Sequence, residues 1–127
     1  MEGSLYERLA KAVEEAVADA EIFLPPDVFA AIRCAAMRET DPVAQGELQN
    51  ILKNLEKAEE LRVPICQDTG IPVVYLTVPP TVPVTEELYM AVADGVRRAT
   101  RSVPLRPNGV DPITRKNSGD NTGAGLP

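Results

Sequence analysis

Apolar side chains recur at intervals of three and four residues in four stretches of the chain, the spacing of one face of an α-helix. The first stretch covers residues 4–20, and Ser4 and Glu7 at its start have the spacing of a capping box. The second covers residues 27–38 and follows two prolines, which break the chain. We predict an amphipathic helix for each of these stretches.

The third and fourth stretches begin with N-cap signals. Asp41 and Pro42 have the order of an N-cap followed by a proline at the first helical position. Thr85 precedes the fourth stretch in the same way. The expected buried stripe of the fourth helix is Leu88, Val92, Val96 and Ala99. Near its C-terminus, where cations suit the helix dipole, the sequence has Arg97, Arg98 and Arg101.

The pattern changes after Leu61. Residues 71–79, IPVVYLTVP, are β-branched, aromatic or apolar with little polar alternation, which is typical of a strand buried on both faces. We therefore predict an α+β fold in which a helical N-terminal layer packs on a short β-sheet. From Val103 onward regular patterning stops, and a loop of that length is uncommon in a compact domain unless it is functional or the part that packs on it is missing.

Composition narrows the classes of function. A chain of 127 residues corresponds to about one domain. Its net charge of −6 and its aromatic fraction of 4% argue against a nucleic-acid-binding surface. No apolar run approaches the roughly 20 residues that span a bilayer, and two cysteines without a signal peptide favour a reducing, cytoplasmic setting. The absence of histidine excludes Cys–His and Ser–His pairs within this sequence.

The densest group of chemically useful side chains is CQDTG. It comprises a thiol, an amide, a carboxylate, a hydroxyl and a glycine: Cys66, Gln67, Asp68, Thr69 and Gly70. The end of an extended segment is where many proteins place a site, so a functional turn is one interpretation. A buried thiol followed by an ordinary polar turn is the other, because Asp and Gly favour turns by themselves.

Two further groups follow in the patternless region. Arg106 lies between Pro104 and Pro107, which would fix its backbone, and it is either a ligand for a carboxylate or a solvated loop arginine. Residues 117–123, NSGDNTG, are either a surface turn or part of a site to which Asn121 and Thr122 contribute. Cys34, flanked by alanines in the second helix, is predicted to be a core residue.

CQDTG, followed by an apolar run and then by LRPN, TRKN and GDNTG in that order, resembles the N-terminal part of the alpha subunit of class I (iron–sulfur) fumarate hydratases and of L-tartrate dehydratase. The resemblance covers most of the chain. It implies a hydro-lyase that reversibly hydrates fumarate to (S)-malate, which is a reaction of the tricarboxylic acid cycle. It also implies a 4Fe–4S cluster held by three cysteines, with one iron open to substrate.

The same resemblance assigns roles to residues. It implies that Cys66 is a cluster ligand, that Gln67, Asp68 and Arg106 contact the dicarboxylate, and that Asp68 also moves a proton. Thr69, Gly70, Asn121 and Thr122 would be supporting residues. Cys34 precedes the motif and matches no ligand, so this chain offers one of the three cluster cysteines.

We therefore expect residues 1–127 to be the N-terminal part of an alpha-subunit domain. By itself, this part should have no hydratase activity. The missing C-terminal part and a beta subunit would supply the other ligands and the base. The fourth helix and the strand would then expose apolar faces and promote oligomerisation. The alternatives are an L-tartrate dehydratase alpha subunit, or a non-catalytic fragment that binds a partner.

Overall fold

The computed structural model describes residues 3–123 and residue 126, and it contains the four predicted helices. They are α1 (Leu5–Ile22), α2 (Pro26–Arg38), α3 (Pro42–Leu61) and α4 (Glu86–Ser102). The chain divides into two compact units. One unit combines the residues up to Asp19 with those from Cys66 onward, and the other is Ala20–Ile65.

In the Ala20–Ile65 unit, α2 packs against α3. Asp41 caps α3 as predicted, because its Oδ1 accepts hydrogen bonds of 2.9 Å from the backbone N–H groups of Val43 and Ala44. Ala36 of α2 is buried, and so are Leu55 and Ala58 of α3. The apolar stripe of α3 is therefore buried toward its C-terminal end.

The prediction that Cys34 belongs to the core is wrong, because its side chain is exposed. Ala36, two positions further along α2, is the residue that the helix buries. Residues two positions apart in an α-helix are separated by about 200° around its axis. Cys34 therefore lies on nearly the opposite face from Ala36. The neighbouring alanines resembled a core sequence, but they do not determine which face is buried.

The other unit is organised around α4. All four residues of its predicted stripe are buried, and Val92 and Val96 form a core cluster with Val13 of α1. The start of α1 is capped by Ser4, whose Oγ accepts a 3.3 Å hydrogen bond from the N–H of Glu7. Thr85 is at the N-cap position of α4, although its side chain makes no capping hydrogen bond.

The predicted β-sheet is wrong. Among the described residues, the extended segment that follows Gly70 pairs with no strand, and the β-bridge that occurs joins Val110 and Asn117. Val74 packs against the α1–α4 core cluster, whereas Val73 and Tyr75 are 70% and 93% exposed. The residue types correctly indicated extended backbone, but a sheet also needs a second segment to accept and donate the ladder hydrogen bonds.

The apolar surfaces that the sequence led us to expect are present. Besides Val73 and Tyr75 in the extended segment, Tyr89 and Met90 of α4 are 68% and 56% exposed. Between the segment and α4 lies an apolar groove of about 380 Å³. None of the helices in the described part of the chain is both long and apolar enough to cross a membrane.

Candidate functional site

The cysteine turn, residues 66–70, presents its first three side chains to solvent. Cys66, Gln67 and Asp68 are exposed, and the Cys66 thiol is free of any disulfide. The Cys66 Sγ lies 3.5 Å from the carbonyl oxygen of Asp68, to which it can donate weakly. Gly70 has φ of +64°, a left-handed conformation that glycine adopts without strain. The thiol is therefore accessible, and the interpretation of Cys66 as a buried cysteine is wrong.

Thr69 points the other way and joins the turn to the arginine segment, residues 103–109. Its Oγ1 accepts a 3.0 Å hydrogen bond from the N–H of Arg106 and lies 3.4 Å from the carbonyl oxygen of the same residue. The side-chain amide of Asn108 donates to the same hydroxyl at 3.3 Å. Thr69 is 9% exposed, so these hydrogen bonds form where water competes little. The structure thus places the backbones of the two motifs side by side.

The arginine segment has a buried base and an exposed tip. Val103 and Leu105 are buried and hold the segment to the body of its unit, while Arg106 is exposed. The N–H of Asn108 donates to the carbonyl of Arg106 at 2.9 Å, which closes a three-residue turn around Pro107. In the part of the chain that the structure describes, the Arg106 guanidinium pairs with no carboxylate. It is available for an external anion.

The asparagine loop, residues 117–123, is attached to the arginine segment through Asn117. The Asn117 side-chain amide donates to the carbonyl oxygen of Pro107 and, at 2.8 Å, to that of Gly109. Its Oδ1 accepts a hydrogen bond from the N–H of Gly119. Both amide hydrogens of this side chain are used, and they fix the chain next to Arg106.

Asn121 and Thr122 are buried, at 2% and 6% exposure, so the surface-turn interpretation of these two residues is wrong. Asn121 adopts φ of +60° and donates from its amide to the Thr100 hydroxyl at 3.2 Å. Its Oδ1 has no hydrogen-bond partner within the described ranges. This part of the loop is therefore packed against α4.

Asp120 and Arg97 make the main polar link between the loop and α4. Arg97 Nε donates to the Asp120 carboxylate at 3.0 Å, and the Thr122 hydroxyl donates to the same carboxylate at 2.7 Å. Sequence reasoning assigned Arg97 only to the helix dipole and gave no role to Asp120. Their separation of 23 residues leaves no local pattern from which the pair could have been found.

The carboxyl of Asp120 has a perturbed pKa. Burial alone would raise its pKa, but hydrogen bonds from Thr122 and Arg97 outweigh burial and lower the pKa from 3.8 to about 2. Because the folded-state pKa lies below the unfolded one, the interaction stabilises the fold fully above about pH 4 and is lost as the pH falls through 2. After solvent screening, the contribution is about 1 kcal/mol.

Replacing Asp120 by Asn should therefore lower the free energy of unfolding by about 1 kcal/mol at pH 6. The difference from the unaltered chain should shrink as the pH falls toward 2, because Asp120 is then almost fully protonated in the unfolded chain and about half protonated in the folded one. Urea unfolding at several pH values measures this, with Asp19→Asn as an exposed-carboxylate control. A difference that stays constant between pH 6 and pH 2 would show that the ionised form of Asp120 does not stabilise the fold.

The cysteine turn can supply one thiolate ligand to an iron–sulfur cluster, through Cys66. An accessible, unpaired thiol is what cluster ligation requires, and Cys66 provides it. Among the described residues, no three His, Cys, Asp or Glu side chains come together as a metal-binding group. A 4Fe–4S cluster bound here would therefore take a single thiolate from this site.

Comparison with known proteins identifies the class. The sequence pattern of the family described as "Fumarate hydratase (Fumerase)" matches residues 10–126. The chain belongs to this family, which confirms the resemblance that its two motifs indicated.

Three relatives illustrate the range of names within the family. The chain is 38% identical over 122 residues to a putative L(+)-tartrate dehydratase subunit alpha of Methanocaldococcus jannaschii, covering 94% of this chain and 43% of the relative. It is 38% identical over 125 residues to a putative class I fumarate hydratase of Geobacillus stearothermophilus, covering 95% and 24%. It is 33% identical over 104 residues to the L(+)-tartrate dehydratase subunit alpha of Escherichia coli, covering 82% and 34%. The chain spans less than half the length of each of these relatives.

Proposed function

We propose that this chain contributes one cluster thiolate and a dicarboxylate-binding surface to an iron–sulfur hydro-lyase that reversibly hydrates fumarate to (S)-malate. The observation that supports this most directly is the Thr69 hydroxyl, which bonds both backbone polar groups of Arg106. That contact joins the cysteine turn, which carries a thiol, an amide and a carboxylate, to the arginine segment, whose guanidinium forms no salt bridge with any described residue. Family membership supports the hydro-lyase class.

Each exposed side chain has a distinct proposed role. Arg106 would bind one substrate carboxylate, because a guanidinium presents two parallel N–H donors to a carboxylate. Gln67 would donate from its amide to the same or the second carboxylate. Asp68 would accept the proton of the substrate hydroxyl, because its carboxylate is exposed and forms no salt bridge among the described residues.

Cys66 would hold the cofactor. When bound, the open iron of a 4Fe–4S cluster supplies Lewis-acid polarisation of the substrate hydroxyl and carboxylate. The resemblance implies three cluster cysteines, whereas this chain has two, and Cys34 lies outside the motif and matches no ligand. We therefore propose that the remaining ligands and the base come from further polypeptide, including a beta subunit, and that this chain alone has no turnover.

L-Tartrate is the second candidate substrate. Two of the three relatives carry the name L(+)-tartrate dehydratase subunit alpha, and one of them is 38% identical to this chain. Tartrate differs from malate by one hydroxyl, and the contacts proposed here are to carboxylates. The Arg106 site should therefore bind both acids, and discrimination between them should depend on other residues.

Ligand titration tests the proposal. We expect fumarate, (S)-malate and L-tartrate to bind the chain with millimolar dissociation constants, as suits a partial site with few contacts. Crotonate, which has the length of fumarate but a single carboxylate, is the matched control and should bind at least several-fold more weakly. Equal binding of crotonate and fumarate would show that the chain has no dicarboxylate site.

A further inference from the structure

The Thr69 hydroxyl has no free hydrogen-bonding capacity. A hydroxyl has one hydrogen and two acceptor positions. The two acceptor positions receive the N–H of Arg106 and the amide of Asn108, and the hydrogen is directed to the carbonyl of Arg106. Both backbone groups of Arg106 are thus bound to one side chain of the cysteine turn.

Asn117 holds the same segment from its other side. Its two amide hydrogens go to the carbonyl oxygens of Pro107 and Gly109. Pro107 already has a fixed φ, and a hydrogen bond to its carbonyl restricts its ψ as well. The carbonyl groups of residues 106, 107 and 109 are therefore all bound, by groups from two different loops.

The Arg106 side chain has no comparable support. It is exposed, and within residues 3–123 and 126 its guanidinium makes no salt bridge. Its position therefore depends on its backbone. Fixing that backbone before a ligand arrives removes part of the ordering cost that binding would otherwise carry.

From these contacts we propose that Thr69 and Asn117 are positioning residues, which hold the Arg106 backbone beside the cysteine turn so that its guanidinium binds a carboxylate of the substrate. This inference rests on the proposed dicarboxylate site. Neither residue touches the substrate. Removing either should weaken ligand binding while leaving the α1–α4 core, to which neither belongs, intact.

The test combines local and functional measurements on the full chain. Thr69→Val removes the hydroxyl at nearly constant volume, and Thr69→Ser restores it. Asn117→Leu removes the two amide hydrogens without changing the charge and serves as an independent second variant. Thr77→Val is the matched control, because Thr77 is an exposed threonine in the extended segment.

Thr69→Val should lower the hydrogen-exchange protection of the Arg106 amide by about five-fold, the value of one hydrogen bond. Fumarate should bind at least three-fold more weakly, and Thr69→Ser should recover most of both losses. Asn117→Leu should also weaken fumarate binding, and Thr77→Val should change neither quantity. A cooperative thermal melt checks that each variant is folded.

Two results would overturn the positioning role. One is an Arg106 amide as protected in Thr69→Val as in the unaltered chain. The other is lost protection of that amide in Thr69→Val together with unchanged fumarate binding in both Thr69→Val and Asn117→Leu. Failure of the unaltered chain to bind fumarate would instead contradict the proposed function. The exchange measurement distinguishes the two failures, because it does not require a ligand.

Discussion

Replacing Gly95 by alanine is expected to destabilise the α1–α4 unit by about 2 kcal/mol. A Cβ at this position of α4 would lie 2.5 Å from the carbonyl oxygen of Ala10 and 2.6 Å from Cβ of Val13, both in α1. Neither atom is the end of a flexible side chain, so the two helices would have to move apart. The better helix propensity of alanine, about 1 kcal/mol, offsets only part of that cost.

Gly46→Ala is the matched control, because Gly46 is also a glycine inside a helix. A Cβ there would have no neighbouring atom within 4 Å, so the substitution should stabilise α3 by about 0.5–1 kcal/mol. Urea unfolding measures both variants. If Gly95→Ala were as stable as Gly46→Ala relative to the unaltered chain, the close contact of α1 and α4 would be wrong.

Replacing Arg106 by glutamine is expected to weaken fumarate binding by about 10- to 100-fold. The variant loses a charge-assisted, two-pronged contact with a carboxylate, which contributes about 1.5–3 kcal/mol. Arg106→Lys should give an intermediate loss, since lysine keeps the charge without the planar pair of donors. Because the side chain is exposed, neither change should lower the free energy of unfolding appreciably.

Arg101→Gln is the control for this prediction. Arg101 is exposed in the last turn of α4, and its substitution changes the net charge by the same amount. If both glutamine variants weaken fumarate binding equally, the effect comes from net charge, and Arg106 makes no specific contact. Binding curves for the three variants, recorded at one ionic strength, distinguish these results.

Helix positions could be predicted because their determinants are local. The stripe of α4 and the cap of α3 depend on residues within a few positions of one another, and both were found. The exposure of Val73 and Tyr75, which the sequence led us to expect as buried, could not be predicted in this way. Whether an extended segment is covered depends on a second segment, and residue types alone do not say whether one is present.

For the candidate site, too, the local features could be predicted from the sequence and the long-range contacts could not. Its exposed residues, such as Cys66 and Arg106, could be identified by residue type and motif. The contacts that bring them together could not, because Thr69 and Arg106 are 37 residues apart and Arg97 and Asp120 are 23 apart. Asn117 belongs to a motif that the sequence analysis identified. The sequence did not indicate, however, that its side-chain amide donates to the carbonyls of Pro107 and Gly109.

The central claim is that the cysteine turn and the arginine segment form a single dicarboxylate site. The most direct measurement is a fumarate titration of the ¹⁵N-labelled chain, followed at the backbone amides of both segments. We expect the amides of residues 66–70 and of residues 106, 108 and 109 to shift with one common dissociation constant. Shifts in only one segment, or different dissociation constants for the two, would contradict a single site.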